Sequence, residues 1–329
     1  MKRLIVTTLV LLAFAATAFA SGASEEATTV GISKFVAHPA LDGVEQGIQD
    51  ELLELGYEDI TYDLQSANAD VSTASQIAAK FKADRVDVAV AIATPNAQAL
   101  VSAMDDTPVV FTAVTDPVDA QLVPSLSGGG GNVTGYSDMT PVREQIELIA
   151  EVADVASIGH VYSAGEANAL VLAEQAAEVA GELGIEFITS TITSSAEVRQ
   201  AMQSIIDRVD VVYVSTDNAV VSALSTLVDV ATDAGVPVVT ADPSSAEEQG
   251  VIAAYGFDYY TMGVATGDLV ARILEGEDPN DIPVQFLTDA EDLILHVNLD
   301  VADELGIALP DSIVDGADKL VENGALTER

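Results

Sequence analysis

Residues 86–100 of this chain have the sequence VDVAVAIATPNAQAL, and residues 209–224 have the sequence VDVVYVSTDNAVVSAL. Both stretches begin with Val-Asp-Val, continue as a short apolar run, pass a Thr, and reach Asn-Ala and a closing Ala-Leu. A short apolar run that leads through turn residues into a helical pattern predicts a buried strand followed by a helix. Because this unit occurs twice, the two stretches predict a pseudo-symmetric pair of α/β domains.

The rest of the chain shows the same alternation of strands and helices. Residues 107–117 (TPVVFTAVTDP) resemble residues 236–243 (VPVVTADP). Strands are predicted at Thr29–Ile32, Ile60–Asp63, Val86–Ile92, Val109–Ala113, Val133–Tyr136, Ile158–Tyr162, Glu186–Thr191, Val211–Ser215, Val236–Ala241 and Ile252–Tyr255. Helices between them include Leu41–Leu55, Val71–Lys82 and Asn168–Leu183. Strict alternation favours parallel sheets with helices on both faces, so the predicted fold is α/β with two Rossmann-like, doubly wound lobes.

The turns that follow the predicted strands indicate where a ligand binds. In open parallel sheets, ligands bind beyond the carboxyl ends of the strands. The turns there are rich in Ser, Thr, Asn and Asp, which cap helices and make short polar contacts. They are AHPALD (37–42), SANAD (66–70), TPNAQ (94–98), TDPVD (115–119), SAGEAN (163–168), TDNAV (216–220) and DPSS (242–245). Two lobes that face each other across these edges would line one cleft.

The first twenty residues predict an export signal. Lys2 and Arg3 form a basic start, Leu4–Phe14 is apolar, and Ala18-Phe19-Ala20 provides a small-x-small cleavage site before Ser21. This pattern is typical of a cleaved secretory signal peptide at residues 1–20, and it is too short for a membrane anchor. We therefore expect a periplasmic or other extracytoplasmic protein.

The composition excludes several classes of function. The chain has no Cys, which excludes disulfides, thiolate metal sites and a Cys nucleophile. It has 53 acidic residues against 12 basic ones, and such a surface repels nucleic acid and anionic lipid. The acids are spread over helix faces, which favours work in high salt, where self-repulsion is screened. The alternative is an ordinary acidic exported protein.

The histidines do not form a catalytic or metal site. His160 lies inside an apolar strand and His296 in the alternating stretch LILHVN (293–298), so both are predicted to be buried parts of the structure. His38 follows the first strand, where both a cleft position and a structural role stay open. Isolated histidines without Cys exclude a zinc pattern.

Other motifs also fail to indicate an enzyme. No Gly-x-Ser-x-Gly nucleophile elbow occurs. The stretch SGGGGNVTG (127–135) lacks the Gly-Lys-Ser/Thr of a phosphate loop and is predicted to be a flexible connection. The stretch GEDPNDIP (276–283) lacks calcium-loop spacing. We therefore expect a binding protein, not an enzyme, with no cofactor and no metal.

The turn SAGEAN fits the two ends of an amino acid. The helix that follows offers unpaired N–H groups and a partial positive charge, both suited to a carboxylate. Ser163, Asn168 and the N–H groups that follow, beginning with Ala169, are predicted to hold that carboxylate, and Glu166 or Asp217 to accept from the ammonium. The alternative is that Ser163 and Asn168 cap their own helix.

Aromatic residues are few, with eight Tyr, eight Phe and no Trp. Tyr136 and Tyr255 end the last predicted strand of each half. One hypothesis places them in the core at a junction of the lobes. The other has Tyr136, Tyr255 or Phe257 stack on a flat ligand at the hinge.

Four stretches resemble a known family: GGNVTGYSDM (130–139), VYSAGEAN (161–168), VDVVYVSTDNAV (209–220) and AAYGFDYYTMG (253–263). They are similar to the exported solute-binding proteins of ABC importers, of the type related to tryptophan- and tyrosine-binding proteins. The resemblance extends from about Thr28 to Asp318. It implies the periplasmic binding protein type I fold, in which two Rossmann-like lobes are joined by a three-crossing hinge and close on a ligand.

The resemblance also implies lobe boundaries and site residues. The crossings are expected near Tyr136–Thr140, Tyr255–Asp258 and Phe286–Asp292. The N-terminal lobe would comprise 28–138 plus about 257–286, and the C-terminal lobe 139–256 plus about 287–329. The family's cleft positions match His38, Thr94, Asn96, Thr115, Asp116, Ser163, Glu166, Asn168, Thr216, Asp217, Asp242 and Tyr255.

The resulting expectation is a monomeric binding protein of an ABC importer. It would capture a small ligand, which we expect to be an amino acid, with the aromatic amino acids as the more specific expectation. It would then deliver this ligand to a membrane permease. The alternatives are a binding protein that feeds a sensory system, or one that binds a sugar or nucleoside. A sugar-responsive transcription regulator of this fold would need a helix-turn-helix where this chain has its export signal.

Overall fold

Of the 329 residues, the computed structural model describes residues 28–152, 155–246, 249–287 and 292–329. The predicted signal peptide at 1–20 lies outside the described residues. Within the described part, no helix is both long enough and apolar enough to cross a membrane.

The described strands alternate with helices along most of the chain. The strands are β1 Thr29–Lys34, β2 Thr61–Ser66, β3 Val88–Ile92, β4 Val109–Val114, β5 Val133–Ser137, β6 Ser157–Ser163, β7 Glu186–Ile192, β8 Val211–Val214, β9 Val238–Thr240, β10 Ala253–Phe257, β11 Gln285–Phe286, β12 Leu293–Asn298, β13 Lys319–Glu322 and β14 Ala325–Glu328. The helices are α1 Pro39–Glu54, α2 Val71–Asp84, α3 Thr94–Ala103, α4 Val142–Val152, α5 Ala167–Glu182, α6 Val198–Ile205, α7 Asn218–Val221, α8 Leu224–Ala234, α9 Pro243–Ala246, α10 Tyr259–Leu274, α11 Leu299–Leu305 and α12 Asp311–Asp315.

The strands form two separate sheets, one in each lobe. The six-stranded sheet of the first lobe has the order β11-β5-β4-β3-β1-β2, and all its neighbours are parallel. The eight-stranded sheet of the second lobe has the order β14-β13-β12-β10-β9-β8-β6-β7. The predicted α/β fold with two doubly wound lobes is therefore confirmed.

The ten predicted strands are all present, with ends that differ from the predicted ones by at most three residues. The expectation of strictly parallel sheets is wrong for the C-terminal part of the chain. There β12 runs antiparallel to β10, and β14 runs antiparallel to β13. The strands β13 and β14 are joined by Asn323 and Gly324, both at positive φ, so they form a tight hairpin and not a strand–helix–strand unit.

The repeated Val-Asp-Val has the same structural role in both lobes. Asp87 Oδ2 accepts a hydrogen bond from the N–H of Thr29, at the start of β1, at 2.7 Å. Asp210 Oδ2 accepts from the N–H of Ser157, at the start of β6, at 2.9 Å, and from the Ser157 hydroxyl at 2.8 Å. In each lobe the aspartate therefore ties the start of one central strand to the start of the next.

The chain passes between the two sheets three times, after β5, after β10 and after β11. After the second crossing, α10 packs closely on α1 of the first lobe. A Cβ at Gly47 would lie 2.4 Å from the Tyr260 carbonyl oxygen, and one at Gly263 would lie 2.4 Å from that of Val44. The two helices therefore approach each other at backbone distance, which leaves no room for a side chain at either glycine. This contact fixes the position of α10, whose first residue lines the site described below.

The two histidines predicted to be structural are both fully buried. His160 Nδ1 lies 3.0 Å from the Tyr213 carbonyl oxygen, and its ring stacks on that of Tyr213. Burial lowers the pKa of His160 to about 4. His296 lies inside β12. The prediction that both belong to the interior is confirmed.

Candidate ligand-binding site

The carboxyl-end edges of the two sheets face each other and enclose a cavity. The space between its lining atoms, including the part that opens to solvent, is about 320 Å³. It is lined by His38, Ala40, Leu41, Ala113, Thr115, Asp138 and Tyr259 of the first lobe, and by Asn168, Thr216, Asp217, Asn218, Val221 and Asp242 of the second. This described lining has three carboxyl groups and no Lys or Arg, so it favours a cationic group on the ligand.

His38 and Asp242 approach the cavity from opposite lobes. The Asp242 carboxylate raises the pKa of His38, but burial, the larger effect, lowers it. Burial also raises the pKa of Asp242. Asp242 Oδ1 accepts hydrogen bonds from the N–H groups of Ser244 at 2.9 Å and Ser245 at 3.2 Å, which fixes its turn.

Several polar atoms around the cavity are buried without a partner. Within the described part of the chain, Asp242 Oδ2, Asn168 Oδ1 and both ring nitrogens of His38 make no hydrogen bond of normal geometry. A buried polar atom in this state costs about 1–3 kcal/mol. A ligand that supplied the missing donors and acceptors would remove that cost, so these atoms mark the cavity as a binding site.

A pair of carboxyl groups holds the second-lobe edge together. Glu166 accepts from the Asn218 side chain at 2.6 Å and from the N–H of Ala219 at 3.1 Å. Asp217 accepts from the N–H of Ser163 at 2.5 Å and from that of Val220 at 3.0 Å. The turn after β6 and the turn after β8 are therefore cross-linked in both directions.

The charged forms of Glu166 and Asp217 are disfavoured in this environment. Burial first, and the negative charge of Glu166 second, raise the pKa of Asp217 to about 8. Burial also raises the pKa of Glu166. The hydrogen bonds that both groups accept oppose these shifts, but they do not cancel them. The second-lobe edge thus carries less negative charge at neutral pH than its composition indicates.

A second carboxyl cluster belongs to the first lobe. Asp138, directly after β5, accepts from the Tyr259 hydroxyl at 2.8 Å and from the Thr115 hydroxyl at 3.3 Å. Burial raises the pKa of Asp138 to about 6, against the effect of these two hydrogen bonds. Tyr259 begins α10 and is itself buried, so this cluster lies on the cavity wall.

Two long helices begin at the cavity without a side-chain cap. The residue before α1 is His38, and the one before α5 is Glu166; neither side chain bonds to the start of its own helix. By contrast, Asp217 caps α7 and Asp258 caps α10. Uncapped helix starts offer backbone N–H groups and a partial positive charge, which suit a carboxylate. In this acidic cavity they are the groups best placed to receive an anion.

The structure brings six of the fourteen predicted site residues to the cavity wall. They are His38, Thr115, Asn168, Thr216, Asp217 and Asp242. Three more lie directly behind that wall. Ser163 donates its N–H to Asp217, Glu166 holds Asn218, and Ala169 is buried in the first turn of α5.

Five predicted residues lie away from the cavity wall. Asn96 donates to the Ser33 hydroxyl at 2.8 Å, and Thr94 is buried next to it at the start of α3. Asp116 accepts from the backbone N–H groups of the turn that follows it. Tyr136 packs against the first-lobe core. Tyr255 lines a separate groove with Glu144, Glu147, Leu148, Glu151, Leu295, Ser312 and Ile313.

Two polar residues of the cavity wall, Asp138 and Tyr259, are not among the residues predicted from the sequence. Asp138 follows β5, so the rule of strand ends could have found it, but the predicted strand ended one residue early, at Tyr136. Tyr259 lies two residues after the end of β10, and the predicted strand ended at Tyr255 instead of Phe257. Phe257, the third residue of the stacking hypothesis, is buried in the first-lobe core.

Comparison with known proteins identifies the family. The model of the ABC transporter substrate-binding protein family matches residues 29–321. The chain belongs to this family. Substrate-binding proteins of ABC transporters are extracytoplasmic. A curated relative, the tyrosine-binding protein of Clostridioides difficile, is 37% identical to this substrate-binding protein over 284 residues, which cover 85% of this chain and 82% of the relative.

Two solved structures are similar to this substrate-binding protein. A Streptococcus pneumoniae domain in complex with L-Trp is 34% identical, with a TM-score of 0.85 over 89% of this chain and 99% of that one. A ligand-free, open substrate-binding protein from Clostridium difficile is 36% identical, with a TM-score of 0.64 over 86% of this chain and 96% of that one.

Proposed function

We propose that this substrate-binding protein captures a free amino acid with an aromatic side chain in the cavity between its lobes. The observation that carries the proposal is the set of buried, unpartnered polar atoms that face the cavity from both lobes, on His38, Asn168 and Asp242. The names of its relatives, a tyrosine-binding protein and a domain in complex with L-Trp, support the same ligand class.

The ammonium group is assigned to Asp242. From the sequence, Glu166 or Asp217 was expected to accept from the ammonium, but the oxygens of both already accept hydrogen bonds from the second lobe. Asp242 Oδ2 and Asn168 Oδ1 are buried acceptors without a partner. A cationic group between them would satisfy both.

The carboxylate is assigned to the uncapped helix starts, and the side chain to the apolar part of the wall. Pro39 has no N–H, so the first N–H groups of α1 are those of Ala40 and Leu41, both on the cavity wall. The start of α5 provides the N–H groups of Asn168 and Ala169, as expected from the sequence. An aromatic side chain would pack against Leu41, Ala113, Val221 and the ring of Tyr259.

The proposal also covers export, oligomeric state and delivery of the ligand. We expect the mature chain to begin after an export signal at 1–20, to act as a monomer, and to deliver its ligand to a membrane permease when closed. The lobes that move are 28–138 plus about 257–286, and 139–256 plus about 287–329.

The excess of acidic residues, 53 against 12 basic ones, favours a high-salt environment. A melting temperature that rises from low to molar salt would support that habitat.

Calorimetric titration of the mature protein with L-tryptophan, L-tyrosine and L-phenylalanine tests the proposal. Tryptamine, which lacks the carboxylate, and 3-indolepropionate, which lacks the ammonium, are the matched controls. Each should bind about 10- to 150-fold more weakly than L-tryptophan, because each leaves one charged hydrogen-bonding site unpaired. If 3-indolepropionate binds as tightly as L-tryptophan, the assignment to Asp242 is wrong. If a sugar or nucleoside binds and no amino acid does, the ligand class is wrong.

A further inference from the structure

Two buried hydrogen-bonded clusters flank the hinge, one in each lobe. The first crossing runs from Asp138 to Pro141, between β5 and α4, and the second runs through Gly256–Asp258, from the end of β10 to the start of α10. In the third crossing, between β11 and β12, Asp292 accepts a hydrogen bond from the N–H of Asp258 at 3.0 Å. The third crossing is thereby joined to the second.

In the first lobe, Asp138 and Tyr259 join two crossings. Asp138 is the first residue of the first crossing, and Tyr259 follows the last residue of the second. Their side chains are hydrogen-bonded at 2.8 Å, and both are buried. The N–H of Asp138 also donates to the Val114 carbonyl of β4 at 3.3 Å, so the pair is anchored to the first-lobe sheet.

In the second lobe, Gln145 joins the same two crossings. Its Nε2 donates to the Tyr255 carbonyl oxygen, just before the second crossing, at 2.8 Å. Its Oε1 accepts from the Thr140 hydroxyl, in the first crossing, at 3.3 Å, and from the Tyr213 hydroxyl at 2.6 Å. Gln145 is fully buried, and Tyr213 anchors it to the central strand β8.

We propose that Asp138 and Tyr259 are positioning residues that, together with Gln145, confine the backbone rotation of the first and second crossings to Met139 and Gly256–Asp258. The proposal rests on the proposed function, because a hinge needs a ligand on which to close. Closure by hinge rotation places the change in backbone angles on a few residues at element ends. On the first crossing, Met139 alone lies between the Asp138 cluster and Thr140. On the second crossing, three residues, Gly256–Asp258, lie between the Tyr255 carbonyl and Tyr259.

The first-lobe cluster is also in contact with the ligand space. Asp138 and Tyr259 both line the cavity, whereas Gln145 does not. A ligand that packs against the Tyr259 ring therefore contacts the residue whose hydroxyl group joins two crossings. Occupancy of the cavity and the orientation of the lobes are coupled through this one bond.

Distance measurements between spin labels on the two lobes test the proposal without a ligand. Because the chain has no Cys, the substitutions Ser75→Cys in α2 and Glu178→Cys in α5 introduce unique label sites on exposed positions of each lobe. In Tyr259→Phe, which removes one hydroxyl, we expect a broader ligand-free distance distribution than in the wild type. Gln145→Met should broaden it in the same way from the other lobe.

The matched control is Tyr260→Phe. The Tyr260 hydroxyl also donates to an aspartate, Asp50, at 3.1 Å, but on the exposed surface and within the first lobe. It should leave the distribution unchanged. A role in stability alone would change the melting temperature of Tyr259→Phe and not its distance distribution. If Tyr259→Phe and Gln145→Met both give the wild-type distribution, the proposal is overturned; if Tyr259→Phe does not fold, Gln145→Met decides the question.

The same samples separate this proposal from the proposed function. L-tryptophan should narrow the distribution in the wild type, and should narrow it less in Tyr259→Phe. If L-tryptophan changes nothing in the wild type, the proposed ligand is wrong, and the ligand-free comparison of the variants still tests the hinge.

Discussion

Asp116 in the first lobe and Asp242 in the second occupy the same place in the repeat, yet they face different surroundings. Each follows the end of a strand and precedes a proline. Asp116 Oδ1 accepts from the N–H groups of Val118 at 3.0 Å and Asp119 at 2.9 Å. Asp242 Oδ1 makes the equivalent pair of bonds. Asp242 is buried and lines the cavity, whereas Asp116 is half-buried and does not.

The two central turns differ in the same sense. The turn Ala93-Thr94-Pro95-Asn96 corresponds to Ser215-Thr216-Asp217-Asn218. Where the first lobe has a proline, the second has the cross-linking Asp217. Two of the three carboxyl groups on the cavity wall, those of Asp217 and Asp242, therefore lie in the second lobe, and one, that of Asp138, lies in the first. Local hydrogen bonding explains why an aspartate is present, and only the burial of its second oxygen makes it a candidate for binding.

The largest effect on ligand affinity is expected from removing the negative charge at one of these two paired positions, Asp242. Asp242→Asn keeps the oxygen that holds the turn and removes the negative charge that faces the cavity. We expect L-tryptophan to bind about 10- to 150-fold more weakly, because a hydrogen bond between charged groups contributes about 1.5–3 kcal/mol. Asp116→Asn is the matched control and should leave the affinity unchanged. Equal losses in both variants would show that the aspartates act through their turns and not through the ligand.

A somewhat smaller effect is expected from the titration of Asp217. Its pKa is raised to about 8 in the folded protein, against about 3.9 in an unfolded chain. Between these values the folded state binds more protons than the unfolded state, so the free energy of unfolding falls as the pH rises. Between pH 6.5 and 8 the fall should be about 1–2 kcal/mol. Glu166 and Asp242, whose pKa values burial also raises, act in the same direction.

Urea unfolding of the wild type and of Asp217→Asn at several pH values measures this effect. The window above pH 6.5 is chosen because His38 and His160, whose pKa values are lowered, act in the opposite direction below it. The variant should be less stable overall, since one acceptor is lost, and its stability should depend less on pH. Parallel pH profiles for the two proteins would contradict the shifted pKa of Asp217.

The smallest effect concerns the extra residue in the first-lobe turn. From Val-Asp-Val to the shared Thr, the first lobe has one residue more than the second, and Ala93 at this place has φ 79° and ψ 152°. This conformation is strained for any residue with a Cβ. Ala93→Gly should therefore raise the free energy of unfolding by about 1 kcal/mol. Ala89→Gly, equally buried in β3, should lower it by about the same amount, since glycine weakens a strand. A loss of stability in both variants would mean that the turn is not strained.

The sequence predicted the strands and the edge at which the site lies, because both depend on local patterns. Apolar runs of strand length and polar turns after them are enough to place the cavity at the carboxyl ends. The prediction was less accurate for the individual side chains. Ending β5 at Tyr136 and β10 at Tyr255 placed those tyrosines at the cleft, but the strands continue to Ser137 and Phe257. Since successive residues of a strand point to opposite faces, an error of one or two residues changes which side chain reaches the cavity.

The sequence by itself determined the two-lobe α/β fold, the acidic character and the family, because these depend on patterns repeated along the whole chain. The tertiary structure decided which carboxyl groups have both oxygens held by hydrogen bonds within the protein and which present an unpartnered oxygen to the cavity. Glu166 and Asp217 belong to the first kind and Asp242 to the second. That distinction arises from contacts between turns about 50 residues apart, and these distances are set only when the sheet that carries both turns is folded.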